Sequence, residues 1–179
     1  MSERYHLRKL VDQEEIAVRV AALAEAVARD YAGREPTILV VLGGAFVFAA
    51  DFCRALSRYG LDCRIDFIRL ASYGASSESS GEIRLVQPPM LPVSGRDILV
   101  VEDIVDTGHT MRWLLDYLHK EGAASARLCV LLDKHERREA EVAPDYTGFE
   151  LAGFLVGYGL DFAEKHRNLP DICIVEGLG

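Results

Sequence analysis

The sequence predicts an α/β protein, a mainly parallel twisted sheet flanked by helices, with a small hood. Three observations predict it. Apolar, β-branched runs such as Thr37 to Leu42 and Ala126 to Leu132 have the near-continuous hydrophobicity of strands buried on both faces. Stretches with apolar residues at helical spacing alternate with those runs, as in βαβ units. Glycine or proline falls at most junctions between the two kinds of stretch.

Taken in order, Asp12 reads as the N-cap of a first helix, with Glu15 at its third position completing a capping box. Ile16, Val20, Leu23 and Val27 carry this helix to about Tyr31, and Gly33 and Pro36 end it. Thr37 to Leu42 is a buried strand, Gly43-Gly44 a turn, and Phe46 to Tyr59 a helix closed by Gly60. Cys63 to Leu70 is the next strand. From Ala71 to Gly81 the chain is small, polar and without periodicity, which predicts a mobile lid or long hairpin arm ahead of a strand at Glu82 to Val86. Pro88, Pro89 and Pro92 mark a loop before the central strand, Ile98 to Val101. A helix is expected from Met111 to Glu121, stopped by Gly122, followed by the strand Ala126 to Leu132 and a charged loop, Asp133 to Arg138. Pro144-Asp145-Tyr146 reads as a turn, Phe154 to Tyr158 as a short strand, Asp161 to His166 as a turn of helix, and Ile172 to Val175 as a last strand.

A length of 179 residues fits one domain. We expect a core over about 36–150 and a hood from the N-terminal segment and about 151–179. No apolar run approaches the ~20 residues that span a bilayer, and Met1 to Tyr5 lacks the apolar centre of a signal peptide. A cytoplasmic protein is expected. A formal net charge of −8 argues against a general nucleic-acid surface. Cys53, Cys63, Cys129 and Cys173 form no C-x-x-C pair, so they read as buried reduced thiols rather than zinc ligands.

The chemistry concentrates in Val101-Glu102-Asp103-Ile104-Val105-Asp106-Thr107-Gly108-His109-Thr110-Met111. Two acids stand where the central strand should end, and a third precedes a turn that opens a helix. Open α/β sheets bind ligands beyond the carboxyl ends of their strands, and helix N-termini hold phosphate. Three acids this close repel one another unless a cation balances them. The segment therefore suits a sugar phosphate with a divalent cation. There is no G-x-x-x-x-G-K-[ST], no G-x-G-x-x-G after the first strand, and no G-x-S-x-G elbow.

Val101 to Met111 resembles the 5-phosphoribosyl-1-pyrophosphate (PRPP) signature of the type I phosphoribosyltransferases: four apolar positions, two acids, two apolar positions, then Asp-Thr-Gly-x-Thr. Leu42-Gly43-Gly44, Ser72-Tyr73 with Ser80 to Ile83, Leu132-Asp133-Lys134, and Phe154 to Asp161 followed by Arg167 resemble the hypoxanthine-guanine branch in order and spacing, over roughly Val40 to Val175. The resemblance implies transfer of phosphoribosyl from PRPP to hypoxanthine or guanine, giving IMP or GMP and pyrophosphate. On that resemblance Glu102 and Asp103 face the ribose hydroxyls and Mg²⁺, directly or through water. Asp106 is the general base at purine N7, and Asp106, Thr107, Gly108, His109 and Thr110 hold the 5′-phosphate. Gly43, Gly44 and Arg167 meet the pyrophosphate, and Asp161 takes part in a second Mg²⁺ site and in the purine pocket. Lys134 donates to the purine 6-oxo group, Phe154 stacks on the base, and the Leu155 backbone meets its edge. Ser72 and Tyr73 close over the site.

The implied partners are PRPP and a 6-oxopurine, with no nucleic acid and no membrane, in a homodimer or homotetramer. The sequence departs from family choices at Gly43 and His109, where Lys is frequent, and at Gly153, where some members carry Lys. The alternative on the same fold is a PRPP-sensing RNA-binding regulator, which needs a basic face that this acidic chain does not show beyond Lys134 to Arg138.

Overall fold

The structure, a computed structural model, describes residues 5–72 and 83–177. Two sheets make up the fold. The larger has six strands in the order β4-β3-β2-β5-β6-β7. They are β2 (Thr37–Leu42), β3 (Arg64–Ser72), β4 (Ile83–Gln87), β5 (Asp97–Val105), β6 (Ser125–Asp133) and β7 (Tyr146–Glu150). All pairs are parallel except β3 with β4, so the sheet is mainly parallel, as the sequence predicts. Helices α1 (Gln13–Asp30) and α2 (Phe46–Arg58) cover one face and α3 (His109–Lys120) the other.

Alternation along the strands sends Ile38, Val40, Leu99 and Val101 into the layer under α1 and α2. Leu39, Val41, Ile98 and Val100 go under α3. Phe48 and Phe52 of α2 are fully buried, and burying each such side chain stabilises the fold by about 1.5–3 kcal/mol. The Asp12 carboxylate caps α1 by accepting from the Glu15 amide at 2.9 Å, the contact the capping-box spacing predicts.

β2 and β5 are parallel neighbours, with Val40 opposite Val101. From β2 the chain leaves through α2 toward β3; from β5 it leaves through α3 toward β6 on the other side. The carboxyl ends of β2 and β5 thus flank the crevice where strand order reverses, which is where open α/β sheets take their ligands.

The smaller sheet joins β1 (His6–Val11), β9 (Ile172–Glu176) and β8 (Leu155–Val156), antiparallel throughout. Val11, Leu155, Tyr158, Leu160 and Ile172 pack into the same core cluster as α1 and α2, which holds this sheet against the main body.

Several elements differ from expectation. The central strand continues to Val105, because pairing with β6 persists through Glu102↔Val130 and Val105↔Asp133. β3 likewise runs to Ser72, paired with Ile83. The helix after the motif begins at His109. Strands β1 and β7 have no counterpart in the sequence reading. The short hood strand stops at Val156, since Gly157, Tyr158 and Gly159 all adopt positive φ and leave the β region. No helical turn forms over 161–166: Ala163, Glu164 and His166 have positive φ, and Phe162 bridges Lys165 instead. The expected lid from Tyr73 to Gly81 lies outside the described residues; Ser72, at its start, is placed by its backbone.

Candidate active site

Successive side chains of β5 point to opposite faces. Glu102 turns to the α3 side and is buried, while Asp103 turns to the α2 side. Burial, and then the neighbouring Asp103 charge, push the Glu102 carboxyl well above the usual carboxylate range. Its Oε1 accepts from the Asp103 amide at 2.9 Å, and Asp103 Oδ1 accepts from the Ile104 amide at 2.9 Å. Asp103 Oδ2 lies where a Cβ on Gly44 would sit, so glycine at 44 lets the first-loop backbone come against this acid. The Leu42–Gly43 peptide in that loop is cis.

Beyond β5 the chain turns through Asp106, Thr107 and Gly108 into α3. Gly108 is the N-cap, at φ 88°, and among the described residues it leaves the first turn without a side-chain cap. A Cβ there would press on Val142 and Arg138. Glu102, Asp103, Asp106, Thr107, Gly108 and Thr110 line a pocket of about 260 Å³ with Ile104, Val105 and Met111. His109 turns its ring away, to Glu139 at 2.9 Å. The motif therefore folds into one concave cradle of amides and hydroxyls beside three acids.

The segment after β6 closes one side of that cradle. Glu139 and Ala140 amides donate to Thr107 O at 2.9 Å. Arg138, only 16% exposed at its side chain, pairs with the buried Asp133 carboxylate. It also donates to the carbonyls of Asp106 at 3.1 Å and Val142 at 2.6 Å. Sequence reasoning missed this bolt; the only local signal is a run of charges at a strand end.

Lys134 is buried, with Nζ 3.9 Å from Asp106 Oδ1. That oxygen is itself buried and accepts no hydrogen bond among the described residues. Asp106 Oδ2 accepts from Arg137 Nη1 at 3.1 Å. So the predicted base and the predicted purine-contacting lysine do meet. The carboxylate keeps one oxygen able to accept a further donor, next to a positive charge.

The hood approaches from the α2 side. Gly159 packs so closely on the Gly44 carbonyl that a Cβ at 159 would overlap it. Arg167 donates to Gly159 O at 2.8 Å, pairs with Asp161 at 2.8 Å, and reaches Glu164 at 3.2 Å. Gly43, Gly44, Arg167 and Asp161 thus belong to one neighbourhood through Gly159. Phe154 is half-exposed in the hood, with Phe162 set edge-on against it and Tyr5 edge-on against Phe162, each at 5.3 Å between centroids. Leu155 is buried in β8.

Among the described residues, no cluster of three or more His, Cys, Asp or Glu could hold a metal on protein ligands alone. Glu102 with Asp103, and Asp161, remain as partial oxygen sets. No helix among those residues is long and apolar enough to cross a membrane.

Residues 6–163 match the phosphoribosyl transferase domain model. The chain is 41% identical over 172 residues to the hypoxanthine-guanine phosphoribosyltransferase of Aquifex aeolicus, covering 95% of both. It is 39% identical over 168 residues to the Bacillus subtilis enzyme of the same name, covering 93% of this chain and 92% of that one. Among solved structures, a hypoxanthine-guanine phosphoribosyltransferase from Bacillus anthracis with a HEPES molecule in its active site superposes with a TM-score of 0.88 at 37% identity, covering 97% of this chain and all of the other. A Trypanosoma cruzi hypoxanthine phosphoribosyltransferase variant, in a ternary complex with substrates, gives 0.87 at 37% identity, covering 93% of each.

Proposed function

The chain belongs to the phosphoribosyl transferase domain family, and we propose that it performs the purine-salvage reaction: phosphoribosyl passes from PRPP to hypoxanthine or guanine, giving IMP or GMP and pyrophosphate. The observation that carries this reading is the carboxylate of Asp106, buried at one oxygen, standing between the α3 amide cradle and Lys134.

In this reading the uncapped amides of α3, with Thr107 and Thr110, bind the 5′-phosphate and fix the ribose at the end of β5. The amide of His109 serves there while its ring stays with Glu139. Asp103 lies beside the ring, where its negative charge stabilises a ribosyl centre that becomes cationic as the C1–pyrophosphate bond breaks. Glu102, whose burial favours the protonated form until a cation binds, faces the ribose hydroxyls. Gly43 and Gly44 present backbone to the leaving group, and Arg167 adds charge to it. Lys134 donates to the 6-oxo group of the purine, Phe154 stacks on its face, and the Leu155 backbone meets its edge. Asp106 accepts the proton at purine N7 as the new C1–N bond forms.

Glu102, Asp103 and Asp161 are proposed to hold Mg²⁺, which prefers oxygen ligands and retains water and substrate oxygens, a fit to acid sets too small to enclose an ion. Mg²⁺ would supply charge neutralisation for the pyrophosphate.

We further propose a single domain over 1–179, supported by the shared core beneath both sheets. A homodimer or homotetramer is supported by the exposed Phe46, Ile65 and Phe67; a monomer by sedimentation at working concentration overturns it. A cytoplasmic location is supported by four unpaired thiols.

The test is pyrophosphate release from PRPP and Mg²⁺ with hypoxanthine, guanine, xanthine and adenine in turn. Release with hypoxanthine or guanine is expected. Silence with all four, or release with adenine alone, overturns the reading.

A further inference from the structure

Three consecutive hood residues, Gly157, Tyr158 and Gly159, have φ of 94°, 49° and 103°. Crowding accounts for the glycines: a Cβ at 157 would overlap the Asp171 carbonyl, and one at 159 the Gly44 carbonyl. Tyr158 has no such freedom, and a left-handed backbone is unfavourable for an ordinary L-residue, whose Cβ crowds the following carbonyl oxygen. An outlier of this kind persists where its surroundings hold it, and it directs attention to what the side chain does.

The Tyr158 hydroxyl donates to Asp51 Oδ2 at 2.7 Å, across 107 residues of sequence. Asp51 sits in the second turn of α2, the helix that starts immediately after the Gly43-Gly44 loop. On the hood side, the Tyr158 amide donates to Leu169 O at 2.8 Å and the Gly159 amide to Arg167 O at 3.0 Å. Arg167 returns a bond to Gly159 O at 2.8 Å, so the turn and Arg167 move together. Asp51, Tyr158, Val47 and Arg167 also border a cavity of about 750 Å³, so packing on that side leaves room for the turn to shift. Beside the packing of Gly159 on Gly44, the phenol–carboxylate bond is the hydrogen bond that joins this turn to α2 among the described residues.

We propose that Tyr158 is a positioning residue for pyrophosphate recognition. Its bond to Asp51 sets the hood turn, and Arg167 with it, against the Gly43-Gly44 loop. The proposal rests on the PRPP reading of this site. It predicts a specific signature: ligands that carry pyrophosphate feel the loss of the bond, and a nucleoside monophosphate, which uses only the 5′-phosphate cradle and the base pocket, does not.

Tyr158→Phe removes the hydroxyl and nothing else. The Asp51 carboxylate is 42% exposed and also pairs with Arg54 at 2.7 Å, so no buried charge is stranded. The expected result is a rise of about tenfold in KM for PRPP, and for pyrophosphate in the reverse reaction, the scale of one lost hydrogen bond to a charged group. KM for hypoxanthine and Kd for IMP by calorimetry stay within about twofold. Asp51→Asn keeps an acceptor for the phenol and retains the wild-type KM for PRPP. Asp51→Ala matches Tyr158→Phe, and the double variant is no worse than either. Should Tyr158→Phe fold poorly, Asp51→Ala decides alone. An unchanged KM for PRPP, or equal weakening of IMP and PRPP, overturns the proposal. Wild-type protein that releases no pyrophosphate with any base overturns the transferase reading, and this proposal with it.

Discussion

Arg138→Met is expected to destabilise the protein by about 4 kcal/mol. The Arg138 side chain is 16% exposed and that of its partner Asp133 4% exposed. Removing one member of a buried pair costs about 3–5 kcal/mol, because the other charge stays buried without compensation. Among the described residues the remaining charge partner of Asp133 is His135, at 3.4 Å and 60% exposed, which compensates weakly. The carbonyls of Asp106 and Val142 lose a donor as well. Those losses belong to one network and do not add in full. Against a total stability of about 5–15 kcal/mol, the change is large. Urea unfolding at fixed protein concentration measures it, with the midpoint falling by roughly 2 M for a slope near 2 kcal/mol/M. The pairing with Asp133→Asn separates the causes: if stranded charge dominates, the double variant recovers much of the loss. A loss below about 1 kcal/mol for Arg138→Met would refute the argument, and a double variant as unstable as the sum of both changes would refute its electrostatic part.

Further outcomes follow from the same geometry. Lys134→Gln should raise KM for hypoxanthine at least about tenfold while KM for PRPP changes little, the scale of a charged hydrogen bond; equal effects on both substrates in steady-state kinetics would remove Lys134 from the base pocket. Tyr31 is fully buried, its hydroxyl has no hydrogen-bond partner among the described residues, and burial raises its pKa from 10.0 to about 12. Below pH 10 the phenol is neutral in folded and unfolded chains alike; above it the unfolded chain ionises first, so stability falls as pH rises from 10 toward 12. Tyr31→Phe should remove up to about 3 kcal/mol of that alkaline loss, read as a flatter stability profile in urea titrations between pH 9 and 12; an unchanged slope contradicts it.

The main sheet was legible because its parallel strands are buried on both faces and read as unbroken apolar runs. β1 was not: His6, Arg8 and Lys9 are exposed on an edge strand, and nothing local separates that pattern from a polar leader. β7 sits at one edge of the main sheet, where Gly148 lets its backbone approach Leu131 O, a close contact with no sequence period. The cradle was legible because Glu102 to Thr110 are contiguous, so one strand-to-helix turn fixes all of them. Arg138 and the Tyr158–Asp51 bond were not, since each depends on chain segments brought together only by the fold. The turn over 161–166 was misread as helical because positive φ at Ala163 and Glu164 leaves no compositional trace.

The central claim is that the Asp106 carboxylate acts on the purine at the end of β5. Single-turnover formation of IMP by wild type and Asp106→Ala, with PRPP affinity measured alongside, tests it most directly. The account predicts a rate lower by about 10²–10⁴ with PRPP affinity changed only a few-fold. An unchanged rate of IMP formation would contradict it.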